Sequence, residues 1–304
     1  MAIITTGTHP KLLWPGLAAI WGQIYDQHPP EYVDLYNVET SRRSYEEDVQ
    51  VTGFPLAQVK AEGEGGSYAG ESQGYVSRYL HIAYSLGFIV TYEEQQDDLY
   101  MQVGSARSKA NAFAMAQTIE VVAAFLYNNA FSTTFFTMPD GAALISASHA
   151  TVYGSTYSNA LTPAADLTEA SLEDLVIQIM GMKNDRGLNI SALPQSLHIA
   201  PSEVFNAQRI LKSINQSGTA NNDINVLREM NVFPGGAKVN HYFTSPHAWF
   251  VRTNIPNGMK MYWRERPSLN MDNDFDTKNS KSLAYMRFSV GATDPRGIFG
   301  SNGP

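Results

Sequence analysis

The chain has 304 residues, a formal net charge of −8 and no cysteine. The lack of cysteine excludes disulfides, thiolate nucleophiles and cysteine-ligated zinc, and the acidic balance gives no sign of tight nucleic-acid binding. Charged residues make up only 16% of the chain and apolar residues 43%, whereas an ordinary globular domain is about 25% charged. A surface so poor in charge is typical of a protein whose faces become covered by other subunits.

Residues 1–44 are predicted to form an N-terminal arm. Apolar residues, among them Trp14 and Trp21, are spaced as in a helix, and Pro29 and Pro30 stop it. Two tryptophans this close to the start of the chain need cover, from the protein's own core or from a neighbouring copy, and both alternatives stay open. No signal peptide and no run of the ~18 apolar residues of a membrane helix is visible, so we expect a cytoplasmic protein with no membrane partner.

Residues 45–92 are predicted to form a long hairpin. Its tip, 62–70, is rich in glycine and acidic residues, and the return arm alternates apolar and small or polar residues from Leu80 to Val90. At ~3.3 Å per residue the hairpin projects roughly 40–50 Å. An isolated hairpin is marginally stable in water, so we expect this one to lie across a neighbouring copy. Glycines in the tip would let it change its angle.

A long helix is predicted next, ending near residue 131. Met115, Ile119, Val122 and Leu126 form its apolar stripe, and Val121 and Phe125 among others widen it. Glu120 is the only ionised residue in its second half, and we interpret it as solvated or facing another subunit.

A second, mixed lobe is predicted from about 150 to 250. It contains an amphipathic helix over 172–180, a buried strand over 197–200, a helix that starts at Pro201, and a flexible polar loop over 216–222. Strands are predicted around 248–252, 259–263 and 283–290, and the tail 294–300 is predicted to be a loop.

Catalytic and metal-binding patterns are weak. Ser72 lies in a G-x-S-x-G pattern, but a glycine-rich loop precedes it and a strand follows, the reverse of the strand-turn-helix context of a nucleophile elbow. Residues 272–276 resemble the start of a calcium loop that lacks its glycine and its final glutamate, which favours an acidic turn. Lys60 could form an isopeptide bond to a neighbour, but a solvated lysine is the simpler interpretation. We predict no catalytic residue, metal or cofactor.

The order of these parts resembles the major capsid protein of tailed bacteriophages, with the fold named after phage Hong Kong 97. Several short stretches carry the resemblance across nearly the whole chain: 60–64 with 73–75, 86–91, 128–131 followed by 140–141, 222–226, and 248–250.

The resemblance implies an α+β capsid fold. It implies an N-terminal arm over 1–44, an extended hairpin loop over 45–92, a peripheral domain with a spine helix over 93–150, an axial domain over 151–250, and return strands of the peripheral domain over 251–304. It further implies hexamers and pentamers closing into an icosahedral head around double-stranded DNA. Such a protein resides in the virion and assembles in the host cytoplasm.

Ten residues are candidates for assembly contacts on this interpretation: Trp14, Trp21, Lys60, Glu62, Glu64, Gly65, Tyr68, Tyr79, Glu120 and Arg287. The expected partners are copies of the chain, a separate scaffold protein, a portal and decoration proteins, with DNA enclosed but not bound by sequence. Two alternatives stay open. An encapsulin compartment would share the fold and enclose cargo enzymes, and a serine hydrolase would use Ser72.

Overall fold

The computed structural model describes residues 14–26, 29–97, 103–216 and 223–303. Its helices are α1 (Trp14–Asp26), α2 (Tyr32–Leu35), α3 (Tyr92–Asp97), α4 (Val103–Asn128), α5 (Glu169–Met180), α6 (Val204–Lys212) and α7 (Val226–Glu229). Its strands are β1 (Asn37–Thr40), β2 (Tyr45–Val51), β3 (Gln73–Leu80), β4 (Ile82–Val90), β5 (His149–Ala150), β6 (Thr156–Tyr157), β7 (Pro194–Ile199), β8 (Ala237–Val239), β9 (Trp249–Thr253), β10 (Met259–Asn273), β11 (Ser280–Ala292) and β12 (Ile298–Ser301).

The first sheet has the strand order β1-β10-β11-β4 and packs against the long helix α4. The alternation along β11 buries Ala284, Met286 and Phe288 against a helix face that includes Met115 and Ile119. The apolar residues that recur every second position on the strand and every third or fourth position on the helix therefore pack into one core.

The second sheet has the order β12-β9-β7-β8 and is covered by α5 and α6. Helix α5 begins at a capping box in which Thr168 and Ser171 satisfy each other's backbone N–H groups. Its residues Leu172, Leu175 and Ile179 are buried, as their spacing predicts.

Strand β9 joins the two cores. Phe250 packs in the core of the first sheet, whereas Trp249 and Val251 pack in the core of the second. Because successive side chains of a strand point to opposite faces, one short strand fixes the two lobes to each other.

The hairpin pairs differently from the prediction. Strand β2 pairs with β3, while β4 pairs with β11 at the edge of the first sheet. The segment from 82 to 90 is therefore an edge strand of the first sheet and not the return arm of the hairpin. Its alternation correctly indicates a strand, but the predicted face is only partly covered, since Leu80, Ile82 and Leu86 are exposed. Alternation also does not identify the strand's partner.

Other predictions also need correction. Helix α4 ends at Asn128, and Val121 and Phe125 are about half exposed instead of widening the buried stripe. The tail forms strand β12, because Gly300 lets it approach the carbonyl of Trp249 closely. The loop predicted over 216–222 lies almost entirely outside the described residues.

Within the described residues, one helix is long and apolar enough to cross a membrane, against the expectation from sequence. It is α4, over Ser105–Asn128, and 50% of its apolar window is buried inside the protein. That burial favours a core helix.

Candidate assembly surfaces

The loop from 52 to 72 connects β2 to β3 and carries the two most exposed large apolar side chains of the described chain, Val59 and Tyr68. Val59 and Tyr68 are fully exposed, and Phe54 and Leu56 are more than half exposed. A segment of roughly 20 residues without secondary structure is uncommon in a compact domain unless it has a function. A concentration of exposed apolar side chains marks an interaction surface.

Five of the predicted assembly residues lie on this loop: Lys60, Glu62, Glu64, Gly65 and Tyr68, and all five are exposed. The turn at its tip is closed by a hydrogen bond from the N–H of Glu64 to the carbonyl of Ala61, at 3.3 Å. Gly63 has φ +83° there, in the left-handed region that favours glycine. A Cβ on Gly65 would meet open space.

Arg186, from the loop after α5, holds both ends of this loop. Its Nε donates to the carbonyl of Gly53 at 2.9 Å, and its Nη2 donates to the carbonyl of Gly70 at 2.8 Å. The guanidinium also lies over the ring of Tyr153, 4.8 Å from its centroid. The first and last residues of the loop are also joined directly, since the hydroxyl of Thr52 donates to the carbonyl of Ser72 at 2.6 Å. The loop therefore projects from a fixed root, a feature that sequence reasoning missed.

A polar cluster fixes the hairpin to the first sheet. Asp48 of β2 accepts hydrogen bonds at one oxygen, Oδ2, from Lys260 at 2.6 Å, Tyr262 at 2.9 Å and Thr293 at 3.1 Å. Burial and the carboxylate of Asp48 raise the pKa of the Tyr262 hydroxyl, which stays a donor. No spacing in the sequence indicates this cluster, because its members come from distant strands.

Tyr79, a predicted assembly residue, lies inside this cluster. Its hydroxyl is 2.6 Å from the hydroxyl of Thr293, which donates to Asp48, so Tyr79 is the donor to Thr293. Its ring packs on Gly291, where a Cβ would come within 2.7 Å of the ring. Tyr79 is 3% exposed, so any role in assembly is exerted from within the chain.

Of the two arm tryptophans, Trp21 packs on its own chain. The indole N–H donates to Oδ1 of Asn111 on α4 at 2.9 Å, and the ring stacks on Tyr25 with centroids 5.2 Å apart. Of the two alternatives, cover by the protein's own core is therefore the one that the structure shows for Trp21. Trp14 begins α1, and its side chain lies outside the described part of the chain.

Glu120 is buried, which corrects its interpretation as a solvated or subunit-facing carboxylate. Its Oε1 accepts from the backbone N–H of Glu31 at 2.9 Å. Burial raises the pKa of Glu120 to about 7, the nearby carboxylate of Glu31 adds to the rise, and that backbone hydrogen bond opposes it. The only carboxyl group in the second half of α4 therefore holds the segment before α2.

Arg287 lies half-buried on β11, where its Nε donates to the carbonyl of His81 at 3.2 Å. Close by, Arg42, Arg264 and Arg266 line a shallow groove of about 690 Å³ with Thr40, Ser41 and Trp263. Sequence reasoning singled out Arg287 alone and missed the groove.

The catalytic and calcium alternatives gain nothing from the geometry. Ser72 lies in coil directly before β3 with no helix after it, and its neighbours are Thr52 and Tyr153. Asp274, in the turn between β10 and β11, pairs with Lys281 at 2.6 Å. Among the described residues, no group of three or more histidines and carboxylates is arranged to hold a metal.

The family model described as phage capsid protein matches residues 77–300. The match covers well over half of the chain, which therefore belongs to the phage capsid protein family. No curated protein matches the chain.

Solved capsid structures share the fold. A virus-like particle protein from Pyrococcus furiosus has a TM-score of 0.55 at 11% identity, covering 94% of this chain and 98% of its own. Mycobacterium phage Che8 gives 0.52 at 17% identity, covering 90% and 92%. The capsid of an empty GTA particle gives 0.57 at 10% identity, covering 90% of each chain. These confirm the predicted α+β capsid fold of the Hong Kong 97 type, and with the family match they confirm the resemblance to tailed-phage major capsid proteins.

Proposed function

We propose that copies of this capsid protein assemble as hexamers and pentamers into an icosahedral phage head that encloses double-stranded DNA. The loop from 52 to 72 is the observation that carries the proposal. Val59 and Tyr68 are fully exposed and need cover that the described part of their own chain does not give, and an adjacent copy would supply it. Closed symmetry satisfies such a surface on every subunit without forming open fibres.

The domains follow from this proposal. An arm over 1–44 and an extended loop, shortened from 45–92 to the hairpin over 45–80, make intersubunit contacts. Strand β4 joins 93–150 and 251–304 in a peripheral domain with α4 as its spine, and 151–250 form an axial domain around the capsomer axis. The two hydrophobic cores, one against α4 and one under α5 and α6, support a division into two such domains.

The assembly residues then divide into two groups. Lys60, Glu62, Glu64, Gly65 and Tyr68 contact the neighbouring copy directly, together with Arg287. Trp21, Tyr79 and Glu120 hold the arm and the hairpin in place, and Trp14 remains a candidate contact of the arm. A scaffold, a portal and decoration proteins are the further partners, the head forms in the host cytoplasm, and the acidic chain leaves its DNA mobile.

Electron microscopy of the purified recombinant protein, with light scattering alongside, tests this function. Closed shells, or hexameric and pentameric rings, are the expected result. A monodisperse monomer that stays monomeric with a crowding agent and with its scaffold protein would contradict it.

The encapsulin alternative differs only in cargo, and the likeness to a virus-like particle protein is the observation that favours it. The neighbouring genes discriminate between the two. Terminase, portal and scaffold genes would support a phage head, whereas a peroxidase or ferritin-like gene would support a cargo compartment.

A further inference from the structure

The groove lined by Arg42, Arg264 and Arg266 is a concentration of positive charge on an acidic chain. None of the three arginines lies within ion-pair distance of a carboxylate in the described ranges, although Arg43 beside them pairs with Glu46 at 3.6 Å. We call this surface the arginine groove.

An irregularity in β10 presents two of these arginines. The register between β10 and β11 shifts between Trp263 and Glu265 and again between Glu265 and Ser268. Such a bulge changes the direction of side chains that would otherwise alternate across the sheet. Arg264, Glu265 and Arg266 are all exposed in consequence.

The surroundings of the groove are positive as well. His81 is buried beside Ser41, and burial lowers its pKa, with Arg287 and Arg264 lowering it further and Glu46 opposing them. The lining of the groove holds three arginines and no carboxylate, and the acidic side chains beside it include Glu46, which accepts from Ser41 at 2.7 Å, and the exposed Glu265. The positive charges that an anionic partner needs are therefore already close together in the unbound subunit.

Unpaired acidic side chains lie on the projecting loop. Glu62, Glu64 and Glu71 are exposed and make no ion pair within the part of the chain that the structure describes, and Lys60 is the only cation between 52 and 72. Two other acidic side chains, by contrast, have a cation within their own chain: Asp274 pairs with Lys281, and Glu94 pairs with Arg107, both at 2.6 Å.

We propose that the arginine groove of one copy receives the acidic tip of the 52–72 loop, Glu62 and Glu64 above all, from a second copy. The inference rests on the proposed shell assembly and specifies which surface the loop contacts. Each exposed pair is weak, but the contact repeats at every subunit interface, so it selects the register in which adjacent subunits meet.

Charge reversal tests the contact in the full-length chain. One variant carries Glu62→Lys and Glu64→Lys, a second carries Arg264→Glu and Arg266→Glu, and a third carries all four substitutions. Shell yield, measured by sedimentation and electron microscopy, is expected to fall about tenfold or more in the first two and to recover in the third. Glu93→Lys with Asp97→Lys, on the exposed helix α3, matches the charge change of the first variant and is expected to assemble like the wild type.

The outcomes separate this contact from the function itself. Failure of the wild type to form shells would overturn the proposed function. Wild-type shells with normal yield in either reversed variant, or with no recovery in the fourfold variant, would overturn only the docking contact. Normal shells with a reduced DNA content in the arginine variant would likewise overturn it, in favour of DNA phosphate as the occupant of the groove. Circular dichroism of each unassembled variant establishes that it folds.

Discussion

Nζ of Lys260 lies 2.6 Å from Oδ2 of Asp48, and this ion pair ties hairpin strand β2 to sheet strand β10. The Lys260 side chain is only 8% exposed, so removing it leaves a carboxylate with two hydroxyl donors and no countercharge. The direction in which the loop projects therefore depends on a pair that lies far from the loop's tip.

Lys260→Met is expected to destabilise the unassembled subunit by about 3 kcal/mol, the lower end of the cost of breaking a buried pair. Denaturant unfolding measures this change. Lys281→Met is the matched control, because its pair with Asp274 is exposed, and it is expected to cost less than about 1 kcal/mol. Equal losses in the two variants would contradict the structural role of the Asp48 cluster.

Arg186→Ala is expected to loosen the root of the loop, because it removes both hydrogen bonds to the carbonyls of Gly53 and Gly70. Trypsin reports on this directly, since Lys60 is the only basic residue between 52 and 72. We expect cleavage after Lys60 to become several-fold faster. Arg209→Ala, at an exposed position on α6, should leave the rate unchanged, and an unchanged rate in Arg186→Ala would refute the clamp.

Glu120→Gln is expected to flatten the dependence of stability on pH. The pKa of Glu120 is raised from 4.5 to about 7, so its protonated form is favoured in the folded state. The stabilisation is complete below pH 4.5 and is lost as the pH rises through 7, by roughly 3 kcal/mol at most from 1.36 kcal/mol per pKa unit.

Unfolding of the wild type and of Glu120→Gln between pH 4 and 8 checks this. The difference between the two curves should widen in favour of the variant as the pH rises, because glutamine still accepts from the N–H of Glu31 and never ionises. Glu31, Tyr25, Tyr32 and Tyr242 interact with Glu120, and Asp26 and Arg266 interact with those tyrosines. All six are present in both proteins, so the comparison isolates the carboxyl of Glu120. Parallel curves would show that burial does not perturb Glu120.

Gly291→Ala is expected to destabilise the subunit by about 1–3 kcal/mol through overpacking. The new Cβ would lie 2.7 Å from the ring of Tyr79, which its bond to Thr293 holds in place. Gly65→Ala is the control, because its Cβ would meet open space. A neutral result for Gly291→Ala would mean that Tyr79 shifts freely and does not fix the base of the hairpin.

Periodicity in the sequence predicted the parts of this fold that depend on local pattern. The spacing of Leu172, Leu175 and Ile179 predicted α5, because a helix buries every third or fourth residue. The alternation of apolar residues along β11 predicted a strand. The same periodic patterns did not predict which strand or helix each element packs against. Strand β4 joins β11 because of tertiary pairing that no local pattern encodes, and Glu120 is buried because α2 covers a position that the helical wheel leaves open.

The candidate site was predictable only in its exposed part. A glycine-rich, acidic tip indicates a projecting loop, whereas its root depends on Arg186, which lies more than a hundred residues further along the chain. Likewise the arginine groove depends on a bulge in β10 that brings Arg264 and Arg266 beside Arg42. Such contacts arise from topology and not from spacing.

The central claim, that the 52–72 loop of one subunit covers its neighbour, is tested most directly by electron cryomicroscopy of the assembled particles. The account predicts closed icosahedral shells in which each loop lies on the adjacent subunit, with Glu62 and Glu64 in that subunit's arginine groove. Shells in which the loop folds back on its own chain, or extends into solvent without contacts, would contradict it.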